Sequence, residues 1–443
     1  MSRFCVRTFG CRCNQADSAA IREGLCRIAM TECESARDAD WIIVNTCTVT
    51  HRSDQQARQA LRRLHRENPA ARLAVTGCYA QRDPKTLAAI PGVSIVAGNA
   101  DRDRLPEIIG DHAQPSRNGI FHSPLGTEPT FSLPPMARTG GKTRPLIKVQ
   151  DGCDARCSYC IVPHVRGPGR SARPEEVLAE IRALVGRGFQ EIVLTGVHLG
   201  AYGLKIKGHP RLADLLRRIL KVPNLGRIRL SSIEPMHFDR EIIGLAAGSP
   251  LFARHFHIPL QSGSDRLLRR MRRPYTAARF RALLQTIQEA MPDVGLGTDV
   301  IVGFPGETDR DFSETCALIE ESPLAYLHVF PFSPREGTEA CSMPGRVPPA
   351  VVKRRLAQLL EISRSKSLAF RRRFLGKVLP AVTLAKEEEL GAGVVLTGNY
   401  IHARVPRLCL PPNRLVNVRI EDVRSDVTLA RIEQIFDDSS PSG

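Results

Sequence analysis

The chain has no long apolar run, no apolar leader and no internal repeat. No uninterrupted apolar stretch reaches the roughly 18 residues that a membrane-spanning helix needs. The first residues, MSRFCVRTFGC, lack the apolar core of a secretory signal peptide. We therefore expect a soluble, cytoplasmic protein that is neither membrane-inserted nor secreted, and that is not a repeat protein.

Acidic side chains are outnumbered by basic ones. The 443 residues include 63 lysines and arginines against 46 aspartates and glutamates, a formal net charge of +17. A basic excess of this size favours a polyanionic partner, and nucleic acid is the commonest one. The alternative is a genome rich in G and C, in which arginine codons are used freely, and charge alone does not decide between the two.

The 13 cysteines have few uses in such a chain. A reducing cytosol disfavours disulfide bonds. The thiols are therefore expected to bind metal, to take part in catalysis, or to be buried and inert.

Two regions precede the middle of the chain. Residues 1–110 alternate helical stretches, such as 53–67, with short apolar runs, and this β–α alternation predicts a parallel sheet. The apolar runs are FCVRTF (4–9), WIIVNT (41–46) and RLAVTG (72–77). Residues 111–138 are rich in Pro, Gly, Ser and Thr and are expected to form a linker.

Two further domains are expected beyond the linker. Residues 139–372 contain six candidate strands and end in a helix over 349–372, a pattern that predicts an open, partial (βα)6 barrel. The candidate strands are LIKVQ (146–150), EIVLTG (191–196), RIRLSS (227–232), FHIPL (256–260), TDVIVG (298–303) and AYLHVFPF (325–332). Short strands split by turns over 373–443 predict a small β-barrel, a kind of domain that often binds nucleic acid. The predicted fold class is therefore α/β.

The sequence QDGCDARCSYCIVP holds three cysteines on one short loop, Cys153, Cys157 and Cys160, which we call the loop trio. Three thiolates at this spacing can bind three irons of a cubane cluster and leave the fourth iron without a protein ligand. The amino and carboxylate groups of S-adenosylmethionine (SAM) suit such an open site. Zinc or buried free thiols are the alternatives, but zinc usually takes a fourth Cys or His at a recognisable spacing.

A second set, the strand-end trio, consists of Cys11, Cys47 and Cys78, and each of them follows a predicted strand of the first region. In a parallel sheet all three thiols emerge at the same edge, so they can converge on a second cluster. The alternative is three unrelated buried residues, since cysteine is often buried. Cys13 lies two residues from Cys11 and is a possible extra ligand.

Motifs over nearly the whole chain resemble those of the radical-SAM methylthiotransferase family. They are TFGCRCNQADS (8–18), NTCTVT (45–50), GCYAQ (77–81), IKVQDGCDARCSYCIVPHVRG (147–167), LTGVHLGAYG (194–203), SSIEP (231–235), HIPLQSGSD (257–265), TDVIVGFPGET (298–308) and FSPREGT (332–338), and the tail resembles the TRAM domain. Within this family, the chain resembles the branch that methylthiolates N6-threonylcarbamoyladenosine beside the anticodon of tRNA. Three segments carry this resemblance: GCRCNQ, NTCTVTHRSDQQARQALRR and GCYAQR. Cys13 is a departure, because an apolar residue is expected there.

The resemblance implies a role for each matching position. The strand-end trio would hold an auxiliary 4Fe–4S cluster and the loop trio the radical 4Fe–4S cluster, with two SAM molecules used per turnover. Predicted SAM contacts are Tyr159 at the adenine, Thr195 and Gly196 at the methionine amino group, and Glu234, Gln261, Ser262, Asp299, Gly303 and Glu307 around the rest of the pocket. A reducing donor such as flavodoxin or ferredoxin and a sulfur donor are the other expected partners, beside the tRNA anticodon loop.

Two arginine-rich stretches are candidates for phosphate contacts. The first runs from Arg52 to Arg72 and includes Arg62 and Arg63. In the second, Arg266, Arg269, Arg270 and Arg273 are spaced as on one face of a helix. A solvated helix face is the alternative for the second stretch.

Three other functions stay open at the level of sequence. Two lie within the family: methylthiolation of isopentenyladenosine in tRNA, and methylthiolation of an aspartate on a ribosomal protein. The third belongs to another class, a non-catalytic iron–sulfur protein that binds RNA or transfers electrons. The enzyme is favoured because a purely structural cluster has no need to lack a fourth ligand.

Overall fold

A computed structural model describes residues 2–111, 119–133, 143–385 and 392–436. Within these residues, no helix is both long enough and apolar enough to cross a membrane. Parts of the predicted linker, 112–118 and 134–138, lie outside the described residues, as do 386–391 and 437–443 of the predicted C-terminal domain.

The N-terminal region is a six-stranded parallel sheet in the order β2-β1-β3-β4-β5-β6. Its elements are β1 (Arg3–Thr8), α1 (Arg12–Arg27), β2 (Thr31–Glu32), β3 (Trp41–Thr46), α2 (His51–Glu67), β4 (Arg72–Gly77), α3 (Cys78–Arg82), α4 (Pro84–Ala88), β5 (Val93–Ala97), α5 (Leu105–Asp111) and β6 (Gly119–Phe121). Strands β3 and β4 have the bounds that their apolar runs predict. Strand β5 is not among the predicted strands, and β6 lies inside the stretch predicted to be a linker.

Helix α2 shows why this region folds as it does. Ala57, Leu61 and Leu64 recur at helical spacing and are buried against the sheet, while the opposite face is exposed. The hydroxyl of Thr50 caps the helix by accepting a hydrogen bond from the backbone N–H of Ser53.

The middle region is a curved, partial barrel of six parallel strands. Its elements are β7 (Thr130–Phe131), β8 (Leu146–Asp151), α6 (Val162–Arg166), β9 (Arg170–Ala172), α7 (Pro174–Gly186), β10 (Glu191–Gly196), α8 (Leu212–Ile219), β11 (Arg227–Leu230), α9 (Arg240–Gly248), β12 (His255–His257), α10 (Asp265–Arg270), α11 (Ala277–Ala290), β13 (Gly295–Val302), α12 (Asp309–Glu321), β14 (Tyr326–Pro331), α13 (Glu339–Ser342) and α14 (Pro349–Arg372). Strands β8, β10 and β11 pair in parallel, as do β12, β13 and β14. Isolated parallel bridges pair Ile228 of β11 with Phe252, and Ser232 with His257 of β12, and so join the two groups of strands. The short strands β7 and β9 extend the first sheet at its edge.

Side chains of β13 alternate between the helical layer and the lumen of this partial barrel. Leu296, Val300 and Val302 pack in the main core with the surrounding helices. Asp299 lies on the opposite face, which the period of two along a strand turns toward the lumen. The site must therefore be sought on this inner face and on the loops beyond it.

The C-terminal region is a closed five-stranded barrel in the order β15-β16-β17-β19-β18. Its strands are β15 (Val378–Thr383), β16 (Ala392–Thr397), β17 (His402–Pro406), β18 (Leu415–Val423) and β19 (Thr428–Ile435). Val416, Val418 and Ile420 alternate into its core. The predicted α/β fold class, with a parallel sheet, a partial barrel and a small β-barrel, is confirmed.

A buried ionic joint fastens this β-barrel to the middle region. Glu191, at the start of β10, is fully buried and accepts hydrogen bonds from Arg229 at 2.8 and 3.2 Å. The same guanidinium donates to the carbonyls of Gly398 and Thr397, both at 3.1 Å. This ion pair thus helps to fix the orientation of the two domains.

Candidate active site between the two cysteine trios

The strand-end trio lies along one edge of the N-terminal sheet. Strands β1, β3 and β4 are parallel neighbours, and the three cysteines follow their carboxyl ends. Cys11 precedes α1 and is exposed, whereas Cys47 and Cys78 are buried. The order of the strands therefore places three distant thiols at the same edge.

Two glycines permit this arrangement. Gly10 has φ +100°, and a Cβ added there would stand 2.6 Å from the Cβ of Cys47 and 3.0 Å from its sulfur. Gly77 has φ +95°, and an added Cβ would stand 2.4 Å from the side-chain oxygen of Asn45. Both conformations favour glycine, and larger residues would displace the strand-end trio.

Burial sets the protonation of the strand-end trio. Burial, reinforced by the neighbouring Cys78, raises the pKa of Cys47 to about 12. Burial also raises the pKa of Cys78. Hydrogen bonding with Cys13 and the charge of Arg166 lower the pKa of Cys11 to about 6. Two of the three thiols stay protonated at neutral pH unless a metal replaces the proton.

The loop trio follows β8, at the carboxyl end of the barrel strands. The sulfur of Cys153 lies 3.4 Å from Nδ1 of His198, and the sulfur of Cys157 accepts a hydrogen bond of 3.3 Å from Arg273. Burial raises the pKa of Cys153 and of Cys160 to about 12. These thiols, too, need a bound cation to ionise at neutral pH.

Arg273 belongs to this site and not to an RNA-binding face, so that prediction is wrong. Helix α10 ends at Arg270, and Arg272 adopts a positive φ of 56°, which turns the chain out of the helix. Arg273 is therefore buried, where it pairs with Glu234 and donates to the hydroxyl of Tyr275 at 2.9 Å. A phosphate has no access to this guanidinium.

The two trios lie at one domain interface, which we call the compartment, since residues just after the loop trio pack against Cys78 of the strand-end trio. Cys78, Ile161 and Val165 form one buried apolar cluster. The side-chain amide of Asn99 donates to the carbonyl of Val165 at 2.7 Å and lies 3.6 Å from the sulfur of Cys78. This contact joins the two domains at the thiols themselves.

A buried charge network fixes the same interface. Asp17 of α1 is within 3.1 Å of Lys148, Arg166 and Arg102, and Lys148 and Arg166 also bind Asp151. These cations hold the pKa of Asp17 at about 2 against the opposing effect of burial. The N-terminal domain is therefore docked by ionised groups that are shielded from salt.

A second clamp holds the opposite side of the N-terminal domain. Arg335 is 1% exposed and donates at 2.7 Å to both Thr48 and Asp54. Because Thr48 follows Cys47, this arginine of the middle region positions a loop of the strand-end trio. The N-terminal domain is thus held to the middle region on two sides.

The spread of the sulfur atoms suits a cluster better than a zinc ion. Sulfur ligands around one zinc lie about 3.8 Å apart, as follows from a Zn–S bond near 2.3 Å and tetrahedral geometry. Among the described residues, neither trio brings its three sulfurs all within 4.8 Å of one another. This spacing does not match one zinc ion, whereas three thiols at one sheet edge or on one loop can each bind a different iron of a cubane.

One compact set of other candidate ligands faces the lumen in the described part of the chain. His257 of β12 and His328 of β14 each approach the same oxygen of Asp299 at 3.2 Å. Hydrogen bonding with these two histidines holds the pKa of Asp299 at about 2, although burial opposes the shift. Gln261, next to them, has a positive φ of 69°, a strained conformation for a residue other than glycine.

Other predicted SAM contacts divide between the compartment and the scaffold. Tyr159 packs beside Phe304 above the lumen, and Thr195 lies 3.8 Å from the sulfur of Cys13, with Gly196 next in the chain. Ser262 instead contacts Thr315 of α12. These positions keep Tyr159 and Thr195 as candidates and assign Ser262 to the scaffold.

Glu307 is also a scaffold residue. Its carboxylate accepts a hydrogen bond of 2.7 Å from the backbone of Gly303 and one of 2.6 Å from Arg355 of α14. Gly303 adopts φ +76°, and Val352 of the same helix lies behind it. The turn is therefore held against α14, and its contact with SAM stays a prediction.

The remaining predicted phosphate contacts differ in exposure. Arg62, Arg63 and Arg269 are exposed, although Arg63 lies 3.5 Å from Glu67. Arg270 is half-buried and donates to the carbonyl of Pro305. Arg62 and Arg269 are thus exposed and form no ion pair with another described residue.

Comparison with known proteins decides the family. Residues 147–319 match the Radical SAM superfamily, and residues 3–98 match Uncharacterized protein family UPF0004. The chain is 37% identical over 407 residues to the threonylcarbamoyladenosine tRNA methylthiotransferase MtaB of Bacillus subtilis, which covers 90% of each protein. The chain belongs to the radical SAM methylthiotransferases.

Relatives of this methylthiotransferase include a second type. This chain is 36% identical to a tRNA-2-methylthio-N(6)-dimethylallyladenosine synthase of Sorangium cellulosum, over 89% of this chain and 84% of that one. A solved radical SAM methyltransferase, TsrM of Kitasatospora setae, superposes with a TM-score of 0.57 at 16% identity, over 77% of this chain and 74% of that one. The latter similarity shows a shared fold.

Several residues of the methylthiotransferase site carry no sequence signal that we recognised. His198 stands beside Cys153, and Asn99 stands beside Cys78. Arg166 donates to Asn14, which is 152 residues away in the chain. For Arg273 such a signal exists. Pro274 follows it, and a helix usually ends at or before the residue that precedes a proline, so Arg273 does not belong to the face of α10.

Proposed function

We propose that this methylthiotransferase converts N6-threonylcarbamoyladenosine next to the anticodon of tRNA to its 2-methylthio derivative. The observation that carries the proposal is the shared compartment, in which the strand-end trio packs against the loop that follows the loop trio. The choice of substrate is supported by the names of relatives such as the MtaB proteins of Bacillus subtilis and Aquifex aeolicus.

We assign an auxiliary 4Fe–4S cluster to Cys11, Cys47 and Cys78 and a radical 4Fe–4S cluster to Cys153, Cys157 and Cys160. With SAM bound, such clusters supply an organic radical, sulfur and a methyl group. The candidate SAM contacts are Tyr159, Thr195, Gly196, Glu234, Gln261, Asp299, Gly303 and Glu307. Electron and sulfur donors are needed as partners, and the cytoplasm, where tRNA is found, is the proposed location.

The chain's own residues prepare the compartment in three ways. Arg273 places a buried positive charge 3.3 Å from the sulfur of Cys157 and is itself neutralised by Glu234. Cys78 packs with Ile161 and Val165 in a buried apolar cluster, which joins the strand-end trio to the segment after the loop trio. An unpaired loop nucleotide can enter at low cost, since it need not leave a duplex.

Nucleoside analysis tests the proposed substrate. In a bacterial host that lacks its own enzymes for both modifications, expression of this chain is expected to produce the methylthio mark on threonylcarbamoyladenosine and not on isopentenyladenosine. Mass spectrometry of digested tRNA measures both marks. Cys153→Ala is the control and should restore neither, and a mark on isopentenyladenosine alone would refute the proposal.

Salt dependence separates Arg273 from the exposed arginines. Charge reversal of Arg62 and Arg269 to Glu is expected to weaken tRNA binding and to reduce the slope of log K against log salt by about 0.7–0.9 for each phosphate that the variant no longer neutralises. Arg273→Gln should leave the slope unchanged, because that guanidinium is buried and paired, yet lower the rate of methylthiolation. Filter binding at several salt concentrations measures the slopes, and an equal fall in all variants would contradict the assignment.

A further inference from the structure

Arg12 is a cation next to the strand-end trio. It directly follows Cys11, begins α1 and is half-buried. Its Nη2 donates to the hydroxyl of Tyr400 in the C-terminal barrel at 3.0 Å. Within the described ranges, no aspartate or glutamate forms an ion pair with it.

The neighbouring arginines already have acidic partners. Arg166 pairs with Asp17 and Asp151, Arg229 with Glu191, and Arg273 with Glu234. Arg12 differs from all three, because its one hydrogen bond to a phenol leaves most of its five donors unused. A half-buried guanidinium with free donors is suited to an anionic ligand.

The wall beside Arg12 is aromatic and polar. The ring of Tyr400 stacks on that of His255 at 4.1 Å, and His255 bonds to the hydroxyl of Tyr326 at 2.9 Å. Tyr326 in turn lies 5.2 Å, centroid to centroid, from His328, which faces Asp299 across the lumen. Tyr400 and Tyr326 are half-buried, and their hydroxyl groups can hydrogen-bond to a polar substituent.

We infer that Arg12 binds the carboxylate of the threonyl substituent on the target adenosine and thereby selects this substrate over adenosines with an uncharged N6 group. The inference rests on the proposed function, since a threonylcarbamoyl group carries a free carboxylate and an isopentenyl group carries none. Arginine binds carboxylates through paired hydrogen bonds. A substrate without the carboxylate would leave the guanidinium desolvated and unpaired, which is how a polar site rejects an analogue.

Binding of synthetic anticodon stem-loops tests the inference from both sides of the contact. Three stem-loops are compared, with threonylcarbamoyladenosine, with its threonyl methyl ester, or with plain adenosine at the target position. The wild-type protein is expected to bind the acid about tenfold or more tightly than the ester, the effect of one hydrogen-bonded charge. Arg12→Gln should bind acid and ester equally, and its KM for the acid should rise by a similar factor.

Two further variants complete the experiment. Arg12→Lys, which retains the charge, is expected to keep part of the preference, and Arg27→Gln, at the other end of α1, should keep all of it. Acid and ester are compared on the same protein, so a change in cluster content affects both alike. A preference that survives in Arg12→Gln, or is missing in the wild type, overturns the inference. The proposed function fails separately, if nucleoside analysis finds the mark on isopentenyladenosine alone.

Discussion

Joint replacement of Cys11, Cys47 and Cys78 by alanine is expected to halve the iron of the reconstituted protein, from about eight to about four atoms per chain. The strand-end trio supplies all the thiols at its edge of the sheet apart from Cys13, so no second cluster can assemble there. Methylthiolation should fall below detection, whereas reductive cleavage of SAM to 5′-deoxyadenosine should persist, because the loop trio is intact. Iron and sulfide assays after anaerobic reconstitution measure the first effect.

A matched variant guards against a general loss of iron. Cys26, Cys341 and Cys409 lie outside both trios, and their joint replacement by alanine should leave about eight irons. Unchanged iron in the strand-end variant would refute the second cluster. Absence of SAM cleavage by protein with a full radical cluster and a competent reductant would favour a non-catalytic iron–sulfur protein instead.

Glu191→Gln is expected to lower the free energy of unfolding by about 3–5 kcal/mol. The substitution leaves Arg229, which has no exposed surface, and Arg227 buried without their counter-charge. Because Arg229 also holds the carbonyls of Gly398 and Thr397, the C-terminal barrel should loosen from the middle region first. Urea unfolding followed by circular dichroism measures the change.

The same carboxylate gives the stability a pH dependence of known sign. Arg229 and Arg227 hold the pKa of Glu191 well below its usual range, despite burial. Its contribution is therefore full above the unfolded-state pKa of about 4.3 and is lost as the pH falls toward the folded-state value. Glu191→Gln should lack this acid-side loss, and the exposed Glu289→Gln should behave as wild type. Equal unfolding midpoints for Glu191→Gln and wild type at pH 7 would contradict the role of the joint.

Local patterns account for much of the fold. The continuous apolar runs at 41–46 and 72–77 are strands with those bounds, since a strand buried on both faces needs no alternation. Strand β6 escaped prediction because its three residues, Gly119–Phe121, are too few for a period and gain their place by pairing with β5. Short edge strands of this kind depend on tertiary context.

Only those parts of the site that belong to sequence motifs could be predicted. Two trios of cysteines stand out because spacing and strand ends mark them in the sequence. The contact of Arg12 with Tyr400 spans 388 residues, and that of Asn99 with Val165 spans 66, so neither leaves a local pattern. The prediction for Arg273 is wrong because it assumes that the helical spacing continues past Arg270, where α10 ends.

The hydrogen bond between Arg335 and Asp54 joins two residues that the ribosome adds at very different times. The two residues are 281 positions apart, so a ribosome adding about 5–20 residues per second delivers the arginine roughly 15–60 s after the aspartate. Over that interval the nascent N-terminal sheet presents Asp17 and the loop after Cys47 before Arg166 and then Arg335 arrive. Loading of iron at the strand-end trio during translation would therefore occur while Asp17 and the loop after Cys47 still lack their arginine partners.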